Sequence, residues 1–154
     1  MTDTTAAGLA PVVKTIEIAA PIELAFRVFT DEIATWWPTA THSIREDRVL
    51  EIVLEGRLGG RIYEVGSDGE ADWGRVLAWD PPHRFVLEWD PSLVRRTPTE
   101  VEVTFEALDE GRTRLRLEHR GWDRIGERGR AGRAGYEKGW DSVLASYEDR
   151  VGRD

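Results

Sequence analysis

The 154-residue chain contains no cysteine, no asparagine and no glutamine, and only one methionine. Without cysteine there is no disulfide, no thiolate nucleophile and no zinc-finger-type site, and a reducing, cytoplasmic setting is the simplest expectation. Without Asn or Gln, buried polar chemistry has to come from Ser, Thr, Tyr, Trp, His, a charged side chain or the backbone. No apolar run approaches the ~20 residues that cross a bilayer, so no membrane span is expected. A net charge of −8 argues against general attraction to nucleic acid or anionic lipid. The length suits one domain, and a two-domain enzyme is not expected. Residues 1–11 carry an acid and no Lys or Arg ahead of an apolar core; they read as a flexible tail before a single domain over 12–151, not as a secretory signal.

Tryptophan is what the chain has in excess. Seven Trp beside one Met exceed what a plain core needs, since Leu or Ile packs as well, and large flat walls are expected. Val12–Ala19 alternates with period two and reads as a strand. Pro21 suits a helix start, and Ile22, Ala25, Phe26 and Phe29 form an apolar stripe behind it. Thr30-Asp31 is placed to cap a second short helix ending at Trp36-Trp37-Pro38. Six strand segments follow, Arg48–Leu54, Arg61–Val65, Ala71–Trp79, Arg84–Trp89, Thr99–Ala107 and Thr113–Trp122. The connections carry residues that tolerate turns, among them Gly59-Gly60, Asp68-Gly69, Asp80-Pro81-Pro82 and Pro91-Ser92. In the last two strands Val101, Val103 and Phe105 share one face, as do Leu115, Leu117 and His119, and outward Glu and Arg are set to pair between neighbours.

From Arg130 to Val151, Tyr136, Trp140, Val143, Leu144, Tyr147 and Val151 recur at helical spacing. Gly139 inside that helix costs up to ~1 kcal/mol relative to Ala, which a close approach of a strand or ligand would explain. The expected fold is α+β: a seven-stranded curved antiparallel sheet around one long C-terminal helix, with two short helices after strand one. A sheet that curls around a single helix leaves a gap too deep for one layer of side chains, so a cavity is expected.

Several motifs in order carry a family resemblance: Ala20-Pro21 through Phe29-Thr30-Asp31, Trp36-Trp37, Gly59–Glu64, Trp73–Phe85, Thr99–Phe105, Thr113–Trp122 and Gly139–Leu144. Together they resemble bacterial single-domain members of the heat-shock-protein-90 ATPase-activator-like family, within the START-like (SRPBCC) helix-grip superfamily. The resemblance runs from about Val13 to Tyr147. It implies a pocket between sheet and last helix that holds a hydrophobic or amphipathic small molecule. It also implies two alternatives, a cyclase- or hydrolase-type enzyme using that pocket, and a stress-response module that docks on a chaperone. A monomer or weak homodimer is expected, with no cofactor.

The candidate ligand-binding residues are Phe26, Phe29, Trp36, Trp37, Trp73, Trp89, Phe105, His119, Trp122, Tyr136 and Trp140. Each ring is also what a packed core would use; as a set they are expected to wall a cavity, with indole N–H groups as sparse polar anchors. His119 points inward, either as a satisfied structural histidine or as a proton-transfer group. Glu64 and Tyr136 are the other catalytic candidates. Parity leaves Glu64 open, because Ile62 and Tyr63 are both apolar, and Arg61 is open likewise. His42 and His83 read as surface-loop residues. The three His have no metal-ligand spacing, so no metal is expected. Ser67 lies in a turn and not in a nucleophile elbow, and no nucleotide-binding glycine loop is present. The basic, Gly-rich run Arg124–Gly135 reads as a gate or helix start more readily than as a nucleic-acid arm.

Overall fold

Alternation of apolar and polar side chains produces a sheet with two unlike faces. The computed structural model describes residues 9–44, 49–91, 98–125 and 127–152. Most of the expected tail, Arg48, Ser92 and Gly126 lie outside those residues. The strands are β1 (Val12–Ile18), β2 (Val49–Leu54), β3 (Arg61–Gly66), β4 (Gly69–Asp80), β5 (Arg84–Trp89), β6 (Thr99–Asp109) and β7 (Arg112–Arg120). They form one antiparallel sheet in the order β1-β7-β6-β5-β4-β3-β2.

Val101 lies opposite His119, and Phe105 opposite Leu115, all buried on the inner face. On the outer face the expected Glu–Arg pairing is present. Arg120 reaches Glu100, Glu102 and Glu118, Arg84 reaches Glu102 and Asp80, and Arg114 reaches Glu17 and Glu106. Such exposed pairs contribute only ~0–1 kcal/mol each. Their larger effect is on register, since a one-residue slip would drive these charges into the core.

Helix α1 (Ile22–Thr30) follows Pro21, whose φ of −62° already suits a helix and whose carbonyl accepts the Ala25 N–H at 2.9 Å. The expected second short helix is only a 3-10 turn, Ile33–Thr35. Pro38 stops it, and Trp36 swings back so that its indole N–H donates to the Val28 carbonyl at 2.8 Å. Trp122 likewise ends up in a 3-10 turn, Trp122–Ile125, and not in β7.

Helix α2 (Glu127–Val151) lies across the inner face and starts earlier than Arg130. The Gly-rich run is therefore mostly helix. Gly129 is required there, because a Cβ would sit 2.1 Å from the Trp122 carbonyl oxygen. Lys14 of β1 holds the helix through Glu137 (2.6 Å) and Asp141 (3.0 Å). Arg133 donates to the carbonyls of Ala10 and Pro11, tying down the end of the expected tail. The Ser146 hydroxyl donates to the Trp36 carbonyl near the other end. Among the described residues, no helix is long and apolar enough to cross a membrane.

Gly74 marks the tightest approach inside the sheet, where a Cβ would lie 1.7 Å from the Glu88 carbonyl oxygen of β5. That oxygen belongs to a paired backbone and cannot rotate away. Gly74→Ala is expected to lower the unfolding free energy by about 2–3 kcal/mol in urea titration. Gly135→Ala, with open space around its Cβ, is expected to raise it by up to ~1 kcal/mol.

Candidate functional site

The aromatic residues divide into two groups according to which half of α2 covers them. Over the C-terminal half the helix presents Val143, Leu144 and Tyr147, all buried. Phe26, Phe29, Trp36, Phe85 and Phe105 pack beneath in edge-to-face and tilted contacts, with Phe29 centred 5.0 Å from Tyr147 and 4.9 Å from Trp36. That half is solid. Phe26, Phe29, Trp36 and Phe105 were expected at the ligand; they lie instead in this packed core, because large helix residues fill the gap above them.

Over the N-terminal half α2 presents Ala131, Gly132, Gly135 and Gly139, and the gap stays open as a cleft of about 410 Å3. Its floor and walls are Trp37, Trp73, Trp89 and Trp140, a ring of indoles with neighbouring centroids 5.1–5.9 Å apart. The Trp37–Ser43 loop forms the rim. It is folded back by a bond from the Trp37 indole N–H to the His42 carbonyl at 2.7 Å. His42 thus lines the cavity, where a plain surface loop was expected. Its ring is what approaches Gly139, at 3.6 Å from the position of an added Cβ. The sequence marked Gly139 as a point of close approach, but it did not mark His42, Ala131, Gly132 or Gly135 as walls of a cavity.

The indole N–H groups do not serve as free anchors. Trp36 donates to Val28, Trp37 to His42, Trp73 to Glu64, Trp89 to Tyr136, Trp122 to the His119 carbonyl and Trp140 to the His119 ring. The walls therefore present ring faces and edges with little hydrogen-bonding demand.

His119 is completely buried, and neither it nor Trp122 lines the cavity. Its Nδ1 accepts the Trp140 indole N–H at 3.0 Å, so the neutral ring carries its proton on Nε2 and donates to Thr99 Oγ1 at 2.6 Å. The Thr99 hydroxyl in turn donates to the Trp89 carbonyl at 3.2 Å. Burial pushes the imidazole down to about 3, consistent with this neutral tautomer. Both ring nitrogens are engaged within the protein, and the ring orients two cavity walls.

Glu64 points inward, completely buried, and Oε1 accepts the Trp73 indole N–H at 2.8 Å and the Ile44 N–H at 2.7 Å. It stands behind the wall and does not line the cavity. Arg61 faces outward, paired with Asp72 (2.5 Å) and Glu70 (3.0 Å) and stacked over Tyr63, and these carboxylates raise its pKa. Tyr136 does line the cavity, and burial raises its pKa, so its hydroxyl keeps its proton. Among the described residues, no group of three or more His, Asp or Glu could hold a metal ion.

A curled sheet gripping one long helix over a partly hollow interior defines a helix-grip, START-like protein. The chain belongs to the activator of Hsp90 ATPase homolog 1-like protein family, whose model matches residues 19–152. Among solved structures it is similar to the anthrahydroquino-gamma-pyrone synthase Txn09, at 37% identity over 72% of this chain and 76% of that one, with a TM-score of 0.51. It is also similar to the self-sacrificing resistance protein CalC from Micromonospora echinospora, at 27% identity over 92% and 94% of the chains (TM-score 0.67). The Aha1 dimer from Colwellia psychrerythraea shares the fold at 19% identity over 93% and 96% (TM-score 0.68). No curated protein matches the chain.

The depressed His119 pKa has a definite linkage. The unfolded chain takes up this proton near 6.5 and the folded one only near 3, so the stabilisation is present above pH 6.5 and is lost as pH falls towards 3. Between pH 7 and pH 5, wild-type protein should lose about 2 kcal/mol more unfolding free energy than His119→Gln in matched urea titrations. Equal losses in both proteins would mean that the imidazole is not held neutral.

Proposed function

We propose that the chain binds a planar apolar or amphipathic small molecule in the indole-walled cleft under the N-terminal half of α2. The observation that carries this reading is the pairing of four Trp rings with a glycine-lined helix face around about 410 Å3. Cavities that hold drug-sized ligands run from about 300 to 1,000 Å3 with mainly apolar walls. Because the indole N–H groups are already bonded to protein acceptors, an apolar guest leaves none of them newly unsatisfied. The driving force is then apolar burial, about 25 cal/mol per Å2, together with stacking on the rings. The 37% identity to a protein named as an anthrahydroquino-gamma-pyrone synthase favours polycyclic aromatic guests, and it also supports a second reading in which a reaction takes place on the bound molecule.

Titration of wild-type protein with hydroxyanthraquinones is expected to quench tryptophan emission saturably. Gly135→Leu projects a side chain into open space at the cavity rim, so it should weaken binding at least about tenfold while leaving the melting temperature unchanged or higher. Absence of quenching in wild type, or identical titrations in both proteins, would contradict the proposal. Turnover of the added compound, followed by chromatography, separates an enzyme from a carrier.

A further inference from the structure

We infer that Tyr136 is the polar anchor of the cleft and selects ligands carrying a carbonyl-type oxygen at the edge of a planar ring system. This rests on the cavity-binding reading above and adds a chemical requirement to it. The Tyr136 hydroxyl oxygen accepts the Trp89 indole N–H at 3.1 Å, which fixes the direction left for its own proton. Among the described residues that O–H has no acceptor, although the side chain lines the cavity and is held in place by surrounding rings. His119 is centred 4.7 Å away, Trp122 5.5 Å and Trp140 6.2 Å.

The other hydroxyls at the rim are occupied within their own loop. Thr41 Oγ1 lies 2.6 Å from His42 Nδ1, and the Ser43 hydroxyl donates to the Thr39 carbonyl at 2.5 Å. Tyr136 therefore stands at the end of an ordered chain. Trp140 bonds His119, His119 bonds Thr99, Thr99 bonds the Trp89 carbonyl, and the Trp89 indole bonds Tyr136. A hydroxyl that accepts a hydrogen bond becomes a better donor, and a donor in an apolar, low-dielectric cleft discriminates strongly in favour of an acceptor oxygen.

Fluorenone and fluorene, which have the same rings with and without one carbonyl, test this by equilibrium dialysis against wild type and Tyr136→Phe. Loss of the hydroxyl is expected to raise the fluorenone-to-fluorene ratio of dissociation constants about tenfold, chiefly by weakening fluorenone. An unchanged ratio, with both compounds bound, overturns the role of Tyr136 and leaves the cavity reading intact. Failure of wild type to bind either compound overturns both. The infrared carbonyl stretch of fluorenone bound to wild type gives a readout that does not depend on the variant folding. A shift below the frequency in hexane is expected, and an unshifted band overturns the inference.

Discussion

The separation between sheet and helix is set at one end of α2 and inherited at the other. A helix is a stiff rod, so the standoff required by Tyr147, Leu144 and Val143 over the phenylalanine cluster persists towards Gly139, Gly135 and Gly132, where nothing fills it. Close packing of protein interiors would normally close such a gap. Here Gly129 packs the helix start against the Trp122 carbonyl, and Lys14 ties the middle of the helix to β1 through Glu137 and Asp141. The opening is a consequence of side-chain size along one helix, braced at both ends.

A hollow walled by tryptophan brings a polar problem with it, because each indole carries an N–H that is costly to bury unpaired. The chain has no Asn or Gln to satisfy these donors. It uses backbone carbonyls for Trp36, Trp37 and Trp122, a carboxylate for Trp73, a tyrosine oxygen for Trp89 and an imidazole nitrogen for Trp140. The residues that looked most like catalysts, His119 and Glu64, hold these walls in position. A neutral histidine suits this task because it accepts on one side and donates on the other, linking α2 to β6 through Thr99.

The strand pattern was legible because alternation is a local property, and so were the inward direction of His119 and the outer Glu–Arg pairing. Glu64 was not, since Ile62 and Tyr63 are both apolar and the strand offers no alternation there. Nor does the order of residues tell Trp36 from Trp37, although one packs in the solid half and the other walls the cleft. The second short helix was overestimated because a cap and a proline stop do not reveal that Trp36 reaches back to Val28. His42 looked like a surface residue because its contact with Gly139 joins two segments far apart in the chain, and such contacts leave no mark in local composition.

The account stands on the indole N–H groups of the cleft walls being satisfied within the protein. Hydrogen exchange of the indole N–H groups, followed by two-dimensional nitrogen–proton NMR on uniformly labelled protein, measures this directly. Six of the seven indole N–H resonances are expected to exchange slowly in the ligand-free protein, with only Trp79, which has no acceptor among the described residues, exchanging fast. Fast exchange at Trp73, Trp89 or Trp140 would show that the walls are open to water, and would contradict the picture of a rigid, apolar, internally satisfied cleft.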